Sequence, residues 1–276
     1  MPEPRVPAMD PSSDIHPTAV IEPGAVIGPG CRIGAYAYLG AEVVLAEANV
    51  VGPHVVIEGR SRIGRGNRFL QFASIGAGPQ RDGWAGEVGR LEIGADNVFR
   101  EQVTVNASTG EAPTRIGDRN LLMTGAHVGH DVQLGSDIRM ANGATLGGHV
   151  QVEDFAWISG LCAVHQTCRI GTHAFVAGGA MVVQDVPPYC LVQGDRARLA
   201  GLNTTGLKRA GLGHPELAAL RRAYRALFLR GGTLAERIAA ARTGSPESPE
   251  VRRLADFLES AARGVISARR RHALAA

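Results

Sequence analysis

The chain has 276 residues; 36 are glycine, 45% are hydrophobic, only 5% are aromatic, and the formal net charge is +3 at pH 7. So much apolar side chain excludes a disordered coil, and no apolar run nears the roughly 20 residues that a membrane-spanning helix needs. The interior must be built from Ile, Val, Leu and Ala, with glycine meeting a backbone requirement that recurs along the chain.

Residues 1–13 are proline-rich and charged, without the apolar centre of a secretory signal, and are expected to form a flexible leader. From Ile15 a step of six residues lands on an apolar side chain every time as far as Ile75, through Ile21, Ile27, Leu39, Ile57 and Phe69. The frame resumes at Ile93, Phe99 and Val105 and, after a slip, runs from Ile116 through Val128, Leu146 and Val164 to Val182. Segments 77–92 and 106–115 break it and read as loop insertions. Four residues after each anchor comes a small one, as at Cys31, Ala73, Ala126, Cys162 and Cys168, so each hexad turns two side chains inward.

A period of six matches neither a helix nor a simple alternating strand. It fits a short strand followed by a turn, three of which close a triangular coil of about 18 residues. The predicted fold over 14–190 is therefore mainly β, a parallel β-helix whose coils stack about 4.8 Å apart and align residues 18 apart in columns. Glycines that follow the anchor, such as Gly28, Gly117 and Gly147, are assigned to the tight corners. Asn49 and Asn67, one coil apart in the small slot, read as an internal amide ladder. Cys31, Cys162 and Cys168 read as packing and Cys190 falls beyond the last hexad; four cysteines without C-x-x-C spacing suit a reducing cytosol.

Asp185-Val186-Pro187-Pro188 ends the repeat, because two prolines deny the sheet its donors. Residues 191–203 form a connector to an α-helical domain over 204–276. There Pro215 starts a helix running to Gly231, Thr233 and Glu236 form a capping box, and Ser248-Pro249 opens a helix that Gly264 can close. This domain is basic, with 14 Lys and Arg against 6 Asp and Glu, whereas the residues before it carry a net charge of −5.

Inward slots fill the centre of such a prism, so chemistry must lie on its outer faces, in its loops or between copies. His127, His130, His149, His165 and His173 fall close together in the chain. His130 occupies an outward position, and its column continues to Gly148 and Gln166. Imidazole is matched to taking a proton from a hydroxyl near neutral pH, and Asp131 beside it can fix the tautomer. A glycine lets a carbonyl oxygen approach backbone N–H, as an oxyanion site requires. Histidines shared across a subunit interface could instead bind zinc.

At these residues the sequence resembles the bacterial UDP-N-acetylglucosamine O-acyltransferases of lipid A synthesis. The resemblance rests on Gln71-Phe72-Ala73-Ser74-Ile75-Gly76, Ala85-Gly86-Glu87, Asn120-Leu121-Leu122-Met123, His127-Val128-Gly129-His130-Asp131, Ala163-Val164-His165-Gln166, Gln184-Asp185-Val186-Pro187-Pro188-Tyr189 and Gly206-Leu207-Lys208-Arg209. It implies a left-handed parallel β-helix with a C-terminal helical domain, assembled as a cytoplasmic homotrimer with active sites between subunits. It also implies transfer of a 3-hydroxyacyl chain from acyl carrier protein to the glucosamine 3-position of UDP-GlcNAc, with no cofactor, no metal, no nucleic acid and no stable membrane insertion. By position His130 matches the general base, Asp131 its orienting partner and Gly148 the oxyanion donor. His127, His149, His165, Gln166, Asn203 and Arg209 match substrate-lining positions, and Gly178 matches the one that measures acyl length, where a missing side chain implies a long chain.

The first loop departs from the family's Gln-Asp-Leu-Lys. It reads Gln80-Arg81-Asp82-Gly83, which moves the substrate-contacting carboxylate to Asp82 and removes the lysine. Ala107-Ser108-Thr109 stands for Arg-Gly-Thr, and Ala210 for a second arginine. These changes leave open an acceptor with a 3-amino group. Outside this reading stand a related N-acyltransferase, which carries a large extra domain ahead of its repeat, a zinc enzyme of the carbonic anhydrase type and a non-catalytic trimeric scaffold.

Overall fold

A computed structural model describes residues 8–86 and 89–268. Residues 1–7 of the expected leader, Glu87 of the first loop and the last eight residues of the helical domain lie outside the described residues. Most hexads form two-residue strands that end on the apolar anchor, and these stack into three sheets of nine, eleven and nine strands, parallel throughout except for the last strand of the second. The first sheet begins at Ala8–Met9, the second at Asp14–Ile15 and the third at Val20–Ile21, and the chain visits them in that order once per coil. Each coil has three corners, written here 1→2, 2→3 and 3→1 for the sheets they join.

Anchors and small slots fill one continuous core, in which Phe69 and Phe99 stack with ring centroids 4.8 Å apart. The amide ladder is twice as long as the sequence suggested. Asn49, Asn67, Asn97 and Asn120 follow one another inside the 1→2 corner, where each Oδ1 of the first three accepts the backbone N–H of the next, at 2.9, 3.0 and 2.9 Å. Asn120 closes the ladder on Ile138 N–H at 2.8 Å. All four asparagines are buried, so the ladder satisfies backbone donors that no water reaches.

Four boundaries differ from expectation. Residues 8–13 are no loose leader, since Ala8–Met9 pairs with Val26–Ile27 and Ser13 Oγ donates to Gly28 O at 2.9 Å. The insertions are shorter, 78–89 and 107–113, because Arg90 and Leu91 zip onto Arg60 and Ser61, and Thr114 onto Leu91. The connector is a strand hairpin: Cys190–Gln193 extends the second sheet and Arg198–Leu202 returns antiparallel to it. The last helix stops at Glu259 instead of reaching Gly264, because the chain turns back to bridge Asp185 through Val265 and Leu199 through Ala268.

The glycines also differ in their role. Left-handed backbone falls three residues after the anchor, and non-glycine residues such as Tyr36 (φ 57°), Asp131 (φ 61°) and His149 (φ 59°) adopt it there. The glycine directly after the anchor answers a close approach: a Cβ on Gly117 would stand 2.6 Å from Gly135 O of the next coil.

Beyond the hairpin come α1 (Thr204–Arg209), α2 (His214–Tyr224) with a π turn over Arg225–Leu229, α3 (Leu234–Gly244) and α4 (Pro249–Glu259). Thr233 and Glu236 form the full capping box of α3, and Ser248 caps α4. The helices pack through Leu220, Leu227, Val251 and Leu254 into a second core that Tyr189 joins. No helix among the described residues is long and apolar enough to cross a membrane.

Replacing Asn97 by leucine removes the acceptor of Asn120 N–H and strands buried polar groups at about 1–3 kcal/mol each. The variant should unfold several degrees earlier in calorimetry, and an unchanged midpoint would show that the ladder contributes nothing.

Candidate active site

Seven of the sequence candidates gather at the 3→1 corner. His127 opens the third-sheet strand His127–Val128, and His130 and Asp131 lie in the turn that follows it. Gly148 and His149 occupy the same turn one coil on, and His165 and Gln166 the next. Both insertions leave this corner too, one and two coils earlier, so the chain's largest departures from its period stand beside the histidines.

His130 and Asp131 form a hydrogen-bonded dyad, Nδ1 to Oδ2, at 2.7 Å, and both side chains are largely buried. The second insertion braces the carboxylate: Thr109 N–H donates to Oδ1 at 3.1 Å and Thr109 Oγ1 to Oδ2 at 2.8 Å. Thr114 Oγ1 accepts Asp131 N–H at 2.8 Å. Burial by itself would raise the Asp131 pKa, but hydrogen bonds from His130 and Thr109, with the nearby His149, outweigh it and hold the pKa below its usual value. The group is therefore an ionised acceptor at neutral pH, so a neutral His130 carries its proton on Nδ1 and presents a lone pair at Nε2.

His149 stands edge-on to His130, with centroids 5.2 Å apart, and its Nε2 lies 3.5 Å from Asp131 Oδ2. His127 Nδ1 is 2.7 Å from Thr104 Oγ1, and burial first, then the neighbouring His130, lowers its pKa, so this ring is neutral near pH 7. The ligand atoms of His130, Asp131 and His149 fall within 4.8 Å of one another, a set that a metal could use. Its carboxylate Oδ2, however, is already taken by Thr109 Oγ1 and His130 Nδ1, which is the arrangement of an orienting group.

Some corner amides are capped by side chains and others are left without an acceptor among the described residues. At the 1→2 corner three amides two residues past the anchor are capped by side chains of the next coil: Ala95 N–H by Asp118 at 2.7 Å, Asp118 N–H by Ser136 at 3.0 Å and Ser136 N–H by Asp154 at 2.8 Å. At the 3→1 corner, Gly148 N–H finds no acceptor among the described residues. Gly148 also makes room for the imidazole, since a Cβ there would stand 2.5 Å from His130 Cε1 and 2.6 Å from Nε2. A proton acceptor and a free backbone donor thus lie side by side.

The other candidates sit elsewhere. Asp82 is exposed on the first insertion and has no partner among the described residues. Asn203 caps α1, accepting from Gly206 N–H at 3.1 Å and donating to His173 O at 3.0 Å. With Arg209 and Ala210 it lines a groove of about 410 Å³ beside the 1→2 corner, walled by Phe155, Trp157, His173 and Phe175. Burial, followed by Arg253, lowers the pKa of His173, whose ring is stacked between Phe155 and Tyr189. Gly178 lies at the 2→3 corner, where a Cβ would meet nothing closer than Gly160 O at 3.6 Å. Sequence reasoning missed Thr109 and Thr114, which lie where the period fails, and Arg263, whose guanidinium reaches His165 Nδ1 at 2.8 Å from beyond α4.

The family model for domain 2 of UDP-N-acetylglucosamine O-acyltransferase matches residues 185–266. Over 93% of its length the chain is 34% identical to the UDP-N-acetylglucosamine acyltransferase from Campylobacter jejuni, covering 100% of that chain with a TM-score of 0.87. The corresponding enzyme from Bacteroides fragilis is 33% identical, with 94% of this chain and 99% of that one covered and a TM-score of 0.85. That from Acinetobacter baumannii is 34% identical, with 95% and 98% covered and a TM-score of 0.76.

Substituting Gly148 by alanine should drive the His130 ring away from Asp131 while leaving the coil intact. A crystal structure of the variant checks this, and an unmoved imidazole would contradict it.

Proposed function

The chain belongs to the UDP-N-acetylglucosamine O-acyltransferase family, whose acyl transfer to UDP-GlcNAc in lipid A synthesis it performs, and we propose that His130 is the general base of that reaction. One observation carries the proposal: the lone-pair nitrogen of an Asp131-held imidazole lies over Gly148, whose N–H is uncapped. His130 Nε2 takes the proton of the glucosamine 3-hydroxyl as that oxygen attacks the acyl thioester carbonyl. The negative charge that develops on the carbonyl oxygen accepts from Gly148 N–H. Collapse of this intermediate breaks the carbon–sulfur bond, and the departing thiolate recovers the proton from His130. Asp131 stays ionised throughout and stabilises the imidazolium. The sequence of proton transfers is complete without a metal or a cofactor.

Acyl carrier protein is the donor partner in this reading, and the basic helical domain supports it. An acidic carrier would be drawn to the net +8 of residues 204–276, with an encounter rate that falls as salt rises. The scattered candidates support a homotrimer. The 3→1, 1→2 and 2→3 corners of one prism cannot face a single cleft, so a second copy is needed to bring Asn203, Arg209 and Gly178 to the dyad. His127, His149, His165 and Gln166 then line the acceptor and donor paths from one protomer, and Asp82 reaches in from the first insertion. Four buried free thiols fit a reducing cytosol as the compartment.

His130→Ala should fold and assemble normally while losing about 10²–10⁴-fold in turnover, the usual worth of a positioned base. Mass spectrometry of product from purified protein, a panel of 3-hydroxyacyl carrier proteins and UDP-GlcNAc or its 3-amino analogue checks this and identifies the acceptor; near-normal turnover would sink the mechanism. In the same assay Gly178→Met should move the preferred acyl chain to a shorter one, whereas an unchanged preference removes Gly178 from the acyl pocket.

A further inference from the structure

The segment after α4 leaves the helical domain and is stitched back onto the prism. Asp185 N–H donates to Gly264 O and Ile266 N–H to Asp185 O, both at 3.0 Å, and Ile266 is buried in the main core. This return carries Arg263 to the 3→1 corner of the last coils. There its Nε donates to Val183 O at 3.1 Å, one terminal nitrogen donates to Thr167 Oγ1 at 2.8 Å, and the other stands 2.8 Å from His165 Nδ1.

We propose that Arg263 is a positioning residue for His165, holding the imidazole as its Nε2–H tautomer so that His165 meets bound substrate as a hydrogen-bond donor. A guanidinium has five N–H groups and no acceptor, so the ring nitrogen it approaches must bear the lone pair, and the ring proton resides on Nε2. A competing partner stands beside it: Gln166 O is 3.1 Å from the same Nδ1 and can only accept. The two bonds exclude each other. With Arg263 in place, Nδ1 accepts and Nε2 donates; without it, Nδ1–H turns to Gln166 O and Nε2 becomes an acceptor. One arginine from the far end of the chain therefore sets the polarity of an exposed side chain one coil past Gly148. The ligand atom that fits Nε2–H is an oxygen with a free lone pair, a carbonyl or phosphate oxygen of the substrate.

The role rests on the reading of this corner as the acyl-transfer site, and its test has one arm independent of that reading. In protein labelled with 15N-histidine, at a pH where the rings are neutral, the nitrogen shifts of His165 should report Nε2–H in the parent and Nδ1–H in Arg263→Ala. Arg263→Lys, which keeps a cation able to reach Nδ1, should restore Nε2–H and serves if the alanine variant fails to fold. His165 remaining Nε2–H in Arg263→Ala, or leaving Nε2–H in Arg263→Lys as well, overturns the tautomer assignment.

In the activity arm Arg263→Ala should raise KM for one substrate about tenfold with kcat little changed, the worth of one hydrogen bond. It should add no further loss in a His165→Ala background, because residues acting through one contact are not additive. A tautomer switch with unaltered KM, or losses that multiply independently, overturns the donor role while leaving His130 as base untouched. If His130→Ala keeps near-normal turnover, His130 is not the base at this corner, and the tautomer result still stands on the spectra.

Discussion

The spacing between coils, about 4.8 Å, is the constraint on which the rest of this structure depends. At that distance every position of the six-residue frame acquires a neighbour of the same kind above and below, so a side chain that suits one coil must suit the column. The asparagine ladder shows the rule inside the prism, where each Oδ1 meets the next backbone N–H. Asp118, Ser136 and Asp154 show it outside, each capping the amide of the coil before. The candidate site appears where the column is deliberately incomplete. Gly148 follows His130 in its column, and the space that a side chain would fill holds an imidazole, while its own amide has no acceptor among the described residues.

The architecture was legible because this constraint repeats. Ile15 to Val182 write the same requirement many times, and the anchors, the small slots and the column of His130, Gly148 and Gln166 all follow from one register. The dyad was legible for a simpler reason, since Asp131 is the next residue in the chain. What lay outside the register was not readable. Thr109 reaches Asp131 across 22 residues and Arg263 reaches His165 across 98, and in both cases the donor lies outside the period that places its acceptor. The glycines misled in an instructive way. Composition signals that a Cβ is unwelcome but not whether torsion or a neighbouring coil forbids it, and at Gly117 the neighbour does.

The attachment of the helical domain bears on the 3→1 corner, because it is what carries Arg263 there. One of its fastenings is a buried carboxylate. Asp185 accepts from Arg169 N–H at 2.8 Å and from Arg169 Nε at 3.0 Å, and the same guanidinium donates to Ser260 Oγ and Phe257 O while lying 4.2 Å from the Phe257 ring centroid. Removing one partner of such a buried pair leaves an uncompensated charge, at a cost of about 3–5 kcal/mol. Asp185 also holds the returning segment through its backbone, so the residue that fastens α4 to the prism helps to deliver Arg263.

The 3→1 corner then has a definite polarity, which is the property acyl transfer demands of it. An attacking hydroxyl must lose a proton at the moment when a carbonyl oxygen a few ångströms away gains charge. One acceptor is wanted among several donors, and a second acceptor would compete for the same proton or repel the growing anion. In the proposed mechanism Asp131 makes His130 the acceptor by taking up its Nδ1–H, and the backbone N–H of residue 148 is a donor that cannot rotate away. Arg263 completes the pattern by denying His165 the lone pair that Gln166 O would otherwise leave at Nε2. In this proposal two imidazoles two coils apart carry opposite roles, and each role is assigned by the group facing Nδ1: a carboxylate that only accepts for His130, a guanidinium that only donates for His165.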